Sequence, residues 1–164
     1  MQDLIGVNLT SVRTEAEGPE FAVGTIGCVT TLSEDNGTLV KTYKYVKFNN
    51  GTGNVASVAS KVAYYYGATG YTVTMDVSDS TTIGAGVFQA VIADLGYGWV
   101  QIAGKATLAA ALTAGTTAGS ALTAVGTTDG TLDVSALVTD FICATTLDAV
   151  TDANAPVIFL TCPQ

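Results

Sequence analysis

The sequence predicts an all-β fold: a single barrel- or sandwich-like domain of many short strands with at most a short helix. Three observations carry this expectation. Apolar and polar residues alternate over short segments, as in Gly70-Tyr71-Thr72-Val73-Thr74-Met75-Asp76-Val77. Glycine signals such as Asn36-Gly37, Asn50-Gly51 and Asp129-Gly130 punctuate those segments. The composition is rich in Thr, Ala, Gly and Val, and with 48% hydrophobic and 12% charged residues it fits packed strands rather than disorder. At 164 residues the chain is one domain, and a domain of that size buries roughly 70% of the surface its unfolded chain exposes. No linker or fixed-period repeat interrupts it. Residues 1–20 read as an N-terminal arm or edge strand and 21–164 as a β-rich body.

Taken in order, Leu4-Ile5-Gly6-Val7 is an apolar start placed before the acidic turn Glu15–Glu20. Phe21–Val29 reads as one strand whose phase slips near Ile26, the mark of a bulge. Asp35-Asn36-Gly37 is a hairpin turn leading to Leu39–Phe48, where Lys41, Tyr43, Tyr45 and Lys47 oppose Val40, Val46 and Phe48. Residues 54–66 read as a helical turn or loop entering a strand at Val62-Ala63-Tyr64-Tyr65-Tyr66. Strands follow over Gly70–Val77 and Gly84–Ile92. Gly96-Tyr97-Gly98-Trp99-Val100-Gln101 then leads tightly into another, its glycines permitting backbone angles that bulkier residues resist and its only tryptophan bringing a large apolar area. The Ala-rich tract Lys105–Val125 has local helix propensity at Thr107–Leu112, but Gly115, Gly119 and Gly126 favour short strands joined by turns. Phe141–Leu147 and Ala155–Leu160 read as two closing strands.

The same composition excludes several functions. Histidine is absent, which removes the usual partner of a nucleophilic Ser or Cys. Lys61, Lys105 and the carboxylates stand in no catalytic spacing and read as solvated surface, so the chain is expected not to be an enzyme. The acid pairs Asp76/Asp79, Asp129/Asp133 and Asp148/Asp152 lack the calcium-loop pattern, and side-chain bonding to turn backbones explains Asp79, Asp129 and Asp152, so no metal is expected. Glycine pieces such as Gly84-Ala85-Gly86 lack the context of a nucleotide loop, so no cofactor is expected. A net charge of −8 repels nucleic acid. No apolar run is long enough for a membrane helix, and no signal peptide is visible at the start, which predicts synthesis in a cytoplasm. Cys28, Cys143 and Cys162 are odd in number with no Cys-x-x-Cys spacing, and read as small buried apolar residues.

Tyr97-Gly98-Trp99-Val100-Gln101 followed by Ile102 and Gly104 resembles a recurring feature of tailed-bacteriophage capsid decoration, or cement, proteins. The order of Phe21–Thr25, an acidic turn, Tyr43-Lys44-Tyr45-Val46, Ala118–Thr123, Asp129-Gly130 and Ala155–Pro163 is similar to those proteins from end to end. The resemblance implies a non-enzymatic virion protein that is made in the bacterial host's cytoplasm and binds the major capsid protein on the outer shell as a dimer or trimer. Leu4, Ile5, Val7, Tyr64, Tyr66 and Trp99 are the residues expected at the capsid or subunit interface. Tyr64–Tyr66 also leave a glycan- or receptor-binding module as an alternative, beside a structural role in the tail or head-tail junction.

Overall fold

Two eleven-residue strands, β2 (Thr38–Phe48) and β6 (Tyr97–Thr107), organise the domain because each serves two parts of the sheet. The computed structural model describes residues 8–32, 38–67, 70–109, 112, 116–150 and 156–163. Among them the remaining strands are β1 (Ile26–Leu32), β3 (Val62–Tyr66), β4 (Thr72–Thr74), β5 (Ser80–Phe88), β7 (Ala121–Thr123), β8 (Asp133–Val134), β9 (Ile142–Thr146) and β10 (Val157–Thr161). One 3-10 turn, Val77–Asp79, is the helical element among these residues, so the fold is all-β as the patterning predicts.

Five strands close into a ring. β2 runs parallel to β4, β4 pairs with β3, β3 with β5 and β5 with β6, and β6 returns antiparallel to β2 with Tyr45 opposite Trp99. The resulting small barrel has no free edge of its own, because every strand in the ring has two neighbours. β1 pairs with the first half of β2, Leu32 facing Thr38. The far half of β6 leaves the ring to pair with β10, which continues through β9 and β7 to β8. Gly104 makes that changeover possible: its φ is +92°, and a Cβ there would stand 2.6 Å from the Val40 carbonyl oxygen.

Side-chain alternation on β2 and β6 divides the interior in two. Val46, Phe48, Val100, Ile102 and Ala106 point into the main core, joined by Val62, Val87, Leu122, Ile158 and Leu160. The opposite phase, Tyr43, Tyr45 and Trp99, builds a separate aromatic cluster on the outer side of the β2–β6 seam. Residues 8–24 cover it. Arg13 exchanges both backbone hydrogen bonds with Tyr97, Leu9 and Phe21 pack on the cluster, and the Tyr45 hydroxyl accepts from the Glu20 N–H at 3.2 Å. Trp99 meets Tyr45 at 5.1 Å and Phe21 at 5.3 Å between ring centroids. Gly96 and Gly98 leave room for this lap rather than adopting left-handed angles. A Cβ at Gly96 would meet the Arg13 carbonyl oxygen at 2.6 Å, and one at Gly98 the end of Ile92 at 2.7 Å.

Several sequence boundaries shift for identifiable reasons. The strand expected over Phe21–Val29 begins at Ile26, because residues 21–25 cross over β2, where the Gly24 N–H donates to the Tyr45 carbonyl. Within Gly70–Val77 only Thr72–Thr74 pairs. The buried Asp76 carboxylate then accepts from the Ser78 hydroxyl (2.6 Å), the Ser78 N–H and the Gly53 N–H, which turns the chain. Asp79 holds the Thr52 hydroxyl and Asp129 accepts from the Val77 N–H, so Asp79 and Asp129 bond to loop groups as the turn reading has it, Asp152 lies outside the described residues, and Asp76 joins them in the same way. The Asn36-Gly37 turn and the Leu4–Val7 arm lie outside the described residues. The three cysteines are buried and free.

Two outcomes follow. Trp99→Ala removes the centre of the aromatic cluster and is expected to cost about 3–5 kcal/mol in denaturant unfolding. The Ser78 hydroxyl, and after it the Gly53 and Ser78 N–H groups, hold the Asp76 carboxyl below its ordinary range. Its stabilising effect is therefore complete above the carboxyl's unfolded value of about 4 and is lost as pH falls through the lower folded value. Calorimetry on Asp76→Asn should show a shallower loss of stability on acidification than in the parent.

Candidate functional site

The described surface carries one turn built to display apolar side chains. Between β8 and β9, Leu137 is 63% exposed and Val138 is fully exposed, flanked by exposed Val134, Phe141 and Ile142. A carboxylate fixes the backbone that carries them. Asp140 accepts hydrogen bonds from the Ala136 N–H (3.0 Å), the Leu137 N–H (3.0 Å) and the Ser135 hydroxyl (3.1 Å), while its own N–H donates to the Leu137 carbonyl (3.1 Å). These bonds, the Leu137 N–H foremost, hold its carboxyl below the ordinary range. The Asp140 carboxylate reaches back three and four residues to the turn's N–H groups, which fixes the backbone without burying Leu137 or Val138. An open hollow of about 400 Å³ lies beneath it, walled by Ala121, Ser135 and Ile142.

On the other side of Phe141 is a second hollow, about 450 Å³ and mostly apolar, between Phe141, Tyr65, Tyr71, Ile83 and Pro163. β3 supplies Tyr65, the β3–β4 turn supplies Tyr71, β5 supplies Ile83, and Pro163 follows β10. Lys44 lies behind this cleft. Its β2 position is in phase with Val46 and Phe48, so the side chain enters the interior and is 0% exposed. The ammonium donates to the Tyr65 hydroxyl and, at 2.9 Å, to the Pro163 carbonyl, and lies 5.2 and 5.5 Å from the Tyr65 and Tyr71 ring centres. Neutral oxygens and aromatic faces thus solvate the charge. Burial pulls the Lys44 amine down and pushes the Tyr65 phenol up to about 12, so the cation gains no phenolate partner at neutral pH.

The residues expected from sequence at an interface are scattered. Leu4, Ile5 and Val7 lie outside the described residues. Tyr64 and Trp99 serve the interior and present no surface: Tyr64 is 0% exposed, donating to the Thr131 carbonyl (2.6 Å) and accepting from the Thr131 N–H (2.7 Å), and Trp99 fills the aromatic cluster. Tyr66 is half-buried on β3 opposite Ser80. Tyr65, assigned by alternation to the other side, is the tyrosine of this run that lines the cleft. The sequence signal for Lys44 was available, since it stands in the apolar phase of Leu39–Phe48. The Ser135–Asp140 turn gave only a polar-apolar mixture between strands.

The arrangement sets an exposed aliphatic turn beside an apolar, aromatic-walled cleft. Among the described residues no group of three His, Cys, Asp or Glu side chains could hold a metal. No described helix is long and apolar enough to cross a membrane.

Replacing Lys44 with Met keeps the length and removes the buried charge, so Lys44→Met is expected to be at least as stable as the parent at pH 7. The parent's unfolded chain binds more protons than its folded form in the interval below the amine's ordinary value of 10.5, so the parent gains on the variant as pH rises through that interval. Urea titrations of both proteins from pH 7 to about 10 check this. No protein-family model matches the chain, and no curated protein matches it either.

Proposed function

We propose that this protein is a phage virion structural protein that binds the exterior of the assembled major capsid shell and stabilises it, acting as a homo-oligomer without catalysis. The observation that carries the reading is the Asp140-pinned turn, which holds Leu137 and Val138 in solvent at a conformational cost already met before any partner arrives. The end-to-end sequence resemblance to decoration proteins supports the same reading. So does the net charge of −8, which favours a place on the outside of a shell rather than against packaged nucleic acid. A standard contact of about 1,200–2,000 Å² per joint, repeated across several capsid subunits, yields tight attachment through avidity.

A second reading is favoured by one feature. The cleft of Tyr65, Tyr71 and Phe141 offers the aromatic faces that stack on sugars, which fits a glycan- or receptor-binding module on the virion exterior.

Incubation of the purified protein with expanded, undecorated capsids separates these readings from each other and from a tail or head-tail role. The decoration reading expects saturable uptake at a fixed ratio to capsid subunits, label spread over the whole shell, and affinity lowered at least about tenfold by Leu137→Asp or Val138→Asp with the melting temperature unchanged. Glycan binding without capsid uptake, or label confined to the vertex or tail, contradicts it.

A further inference from the structure

The strands that complete the sheet bring two thiols together. Cys143 lies in β9 and Cys162 directly follows β10. Leu160 stands opposite Ala144, and continuing that register sets Cys162 opposite Ile142, one residue from Cys143. On the other side of β9 the register shifts at Cys143, where Leu122 faces Ala144 and Thr123 faces Ile142, and with this bulge Cys143 faces the same main core as Cys162. The Cys162 thiol donates to the Cys143 carbonyl at 3.5 Å, which sets the Cys162 sulfur against the Cys143 residue, and the Cys143 thiol donates to the Leu122 carbonyl at 3.8 Å. Cys28, in β1, has the Thr42 hydroxyl at 3.9 Å as its neighbour instead.

The surroundings of Cys162 add two further elements. Its hydrogen bond with Cys143 and its burial disfavour the thiolate, but the Lys44 ammonium acts on it in the opposite sense, and Lys44 is otherwise met by neutral groups. Pro163, the next residue, lines the aromatic cleft, so Cys162 sits just behind a wall that faces solvent.

We propose that Cys143 and Cys162 are a latent disulfide pair, closed by a peroxide with Cys162 as the first sulfur oxidised. The Cys162 thiol gives up its proton as its sulfur attacks one peroxide oxygen; the O–O bond breaks, Cys162 becomes a sulfenic acid, and the leaving hydroxide takes that proton and departs as water. The Cys143 sulfur then attacks the Cys162 sulfur; the S–O bond breaks, the S–S bond forms, and the hydroxyl departs with the Cys143 proton as water. Two thiols and one hydrogen peroxide thus give one disulfide and two waters. The link ties β9 to β10 covalently and leaves the Asp140 turn untouched, so this inference stands apart from the proposed function.

The test treats the folded full-length protein with hydrogen peroxide at neutral pH, then unfolds it and alkylates the remaining thiols with iodoacetamide before mass analysis. The expected product is about 2 Da lighter before alkylation, carries one label on Cys28, yields a linked Cys143–Cys162 peptide, returns to three labels after dithiothreitol and melts several degrees higher. Cys143→Ala should give singly oxidised Cys162 with no link, and Lys44→Met should slow closure several-fold. Three labels persisting under peroxide that fully oxidises the unfolded chain, or Cys28 reacting ahead of Cys162, overturns the proposal.

Discussion

The antiparallel pairing of β2 with β6 is the constraint on which the rest of the domain depends. It closes the five-strand ring, and both strands run past the seam, so it also fixes where β1 joins on one side and where β10 joins on the other. The seam has two faces, and each is the base of a core. Val46 and Val100 look inward, while Tyr45 and Trp99 look outward under residues 8–24. A one-residue slip would exchange these sets, placing tyrosine and tryptophan in the barrel and valines beneath the N-terminal lap. The bulge at Thr42/Tyr43 and the reversal at Gly104 lie where each strand leaves the seam, so they bend the sheet without disturbing that register.

The surface features follow from this frame. β2 drives Lys44 into the interior behind Tyr65 and Tyr71, and the β10–β9–β7–β8 extension brings the Asp140 turn and Phe141 to the edge of that same cleft. Adhesion suits such a molecule. A closed ring resists unravelling while an apolar turn on the extension and an aromatic cleft between ring and extension remain available. A carboxylate bonded to three turn groups is an economical way to fix the backbone that carries Leu137 and Val138, because the cap operates in solvent and needs no core of its own.

Much of the fold was legible in the sequence because its signals were local. Period-2 alternation located β2 and β6, the apolar run before the C-terminal Thr161-Cys162-Pro163 marked β10, and Asp129-Gly130 marked a turn whose glycine has φ +70°. What was not legible depended on distant partners. The parallel pairing of Lys47 with Thr72 leaves no trace in either segment, and the burial of Tyr64 depends on Thr131. Trp99 reads equally well as an interface anchor or a core residue until the lap of residues 8–24 is known to cover it. The three tyrosines at 64–66 illustrate the limit: strict alternation put Tyr64 with Tyr66, but register shifts on either side of Tyr64 leave Tyr64 buried and Tyr65 at the cleft. Lys44 was legible and overlooked, a charged residue in an apolar phase.

Amide hydrogen exchange tests the central claim most directly, because it reads the seam residue by residue in the intact protein. If the β2–β6 pairing holds the domain together, the amides of Tyr43–Lys47 and Tyr97–Gln101 exchange only through global unfolding and are the slowest in the chain, with β7, β8 and β9 opening first. Seam amides that exchange faster than those of β9 and β10 would contradict it, and would place the organising core in the extension instead of the ring.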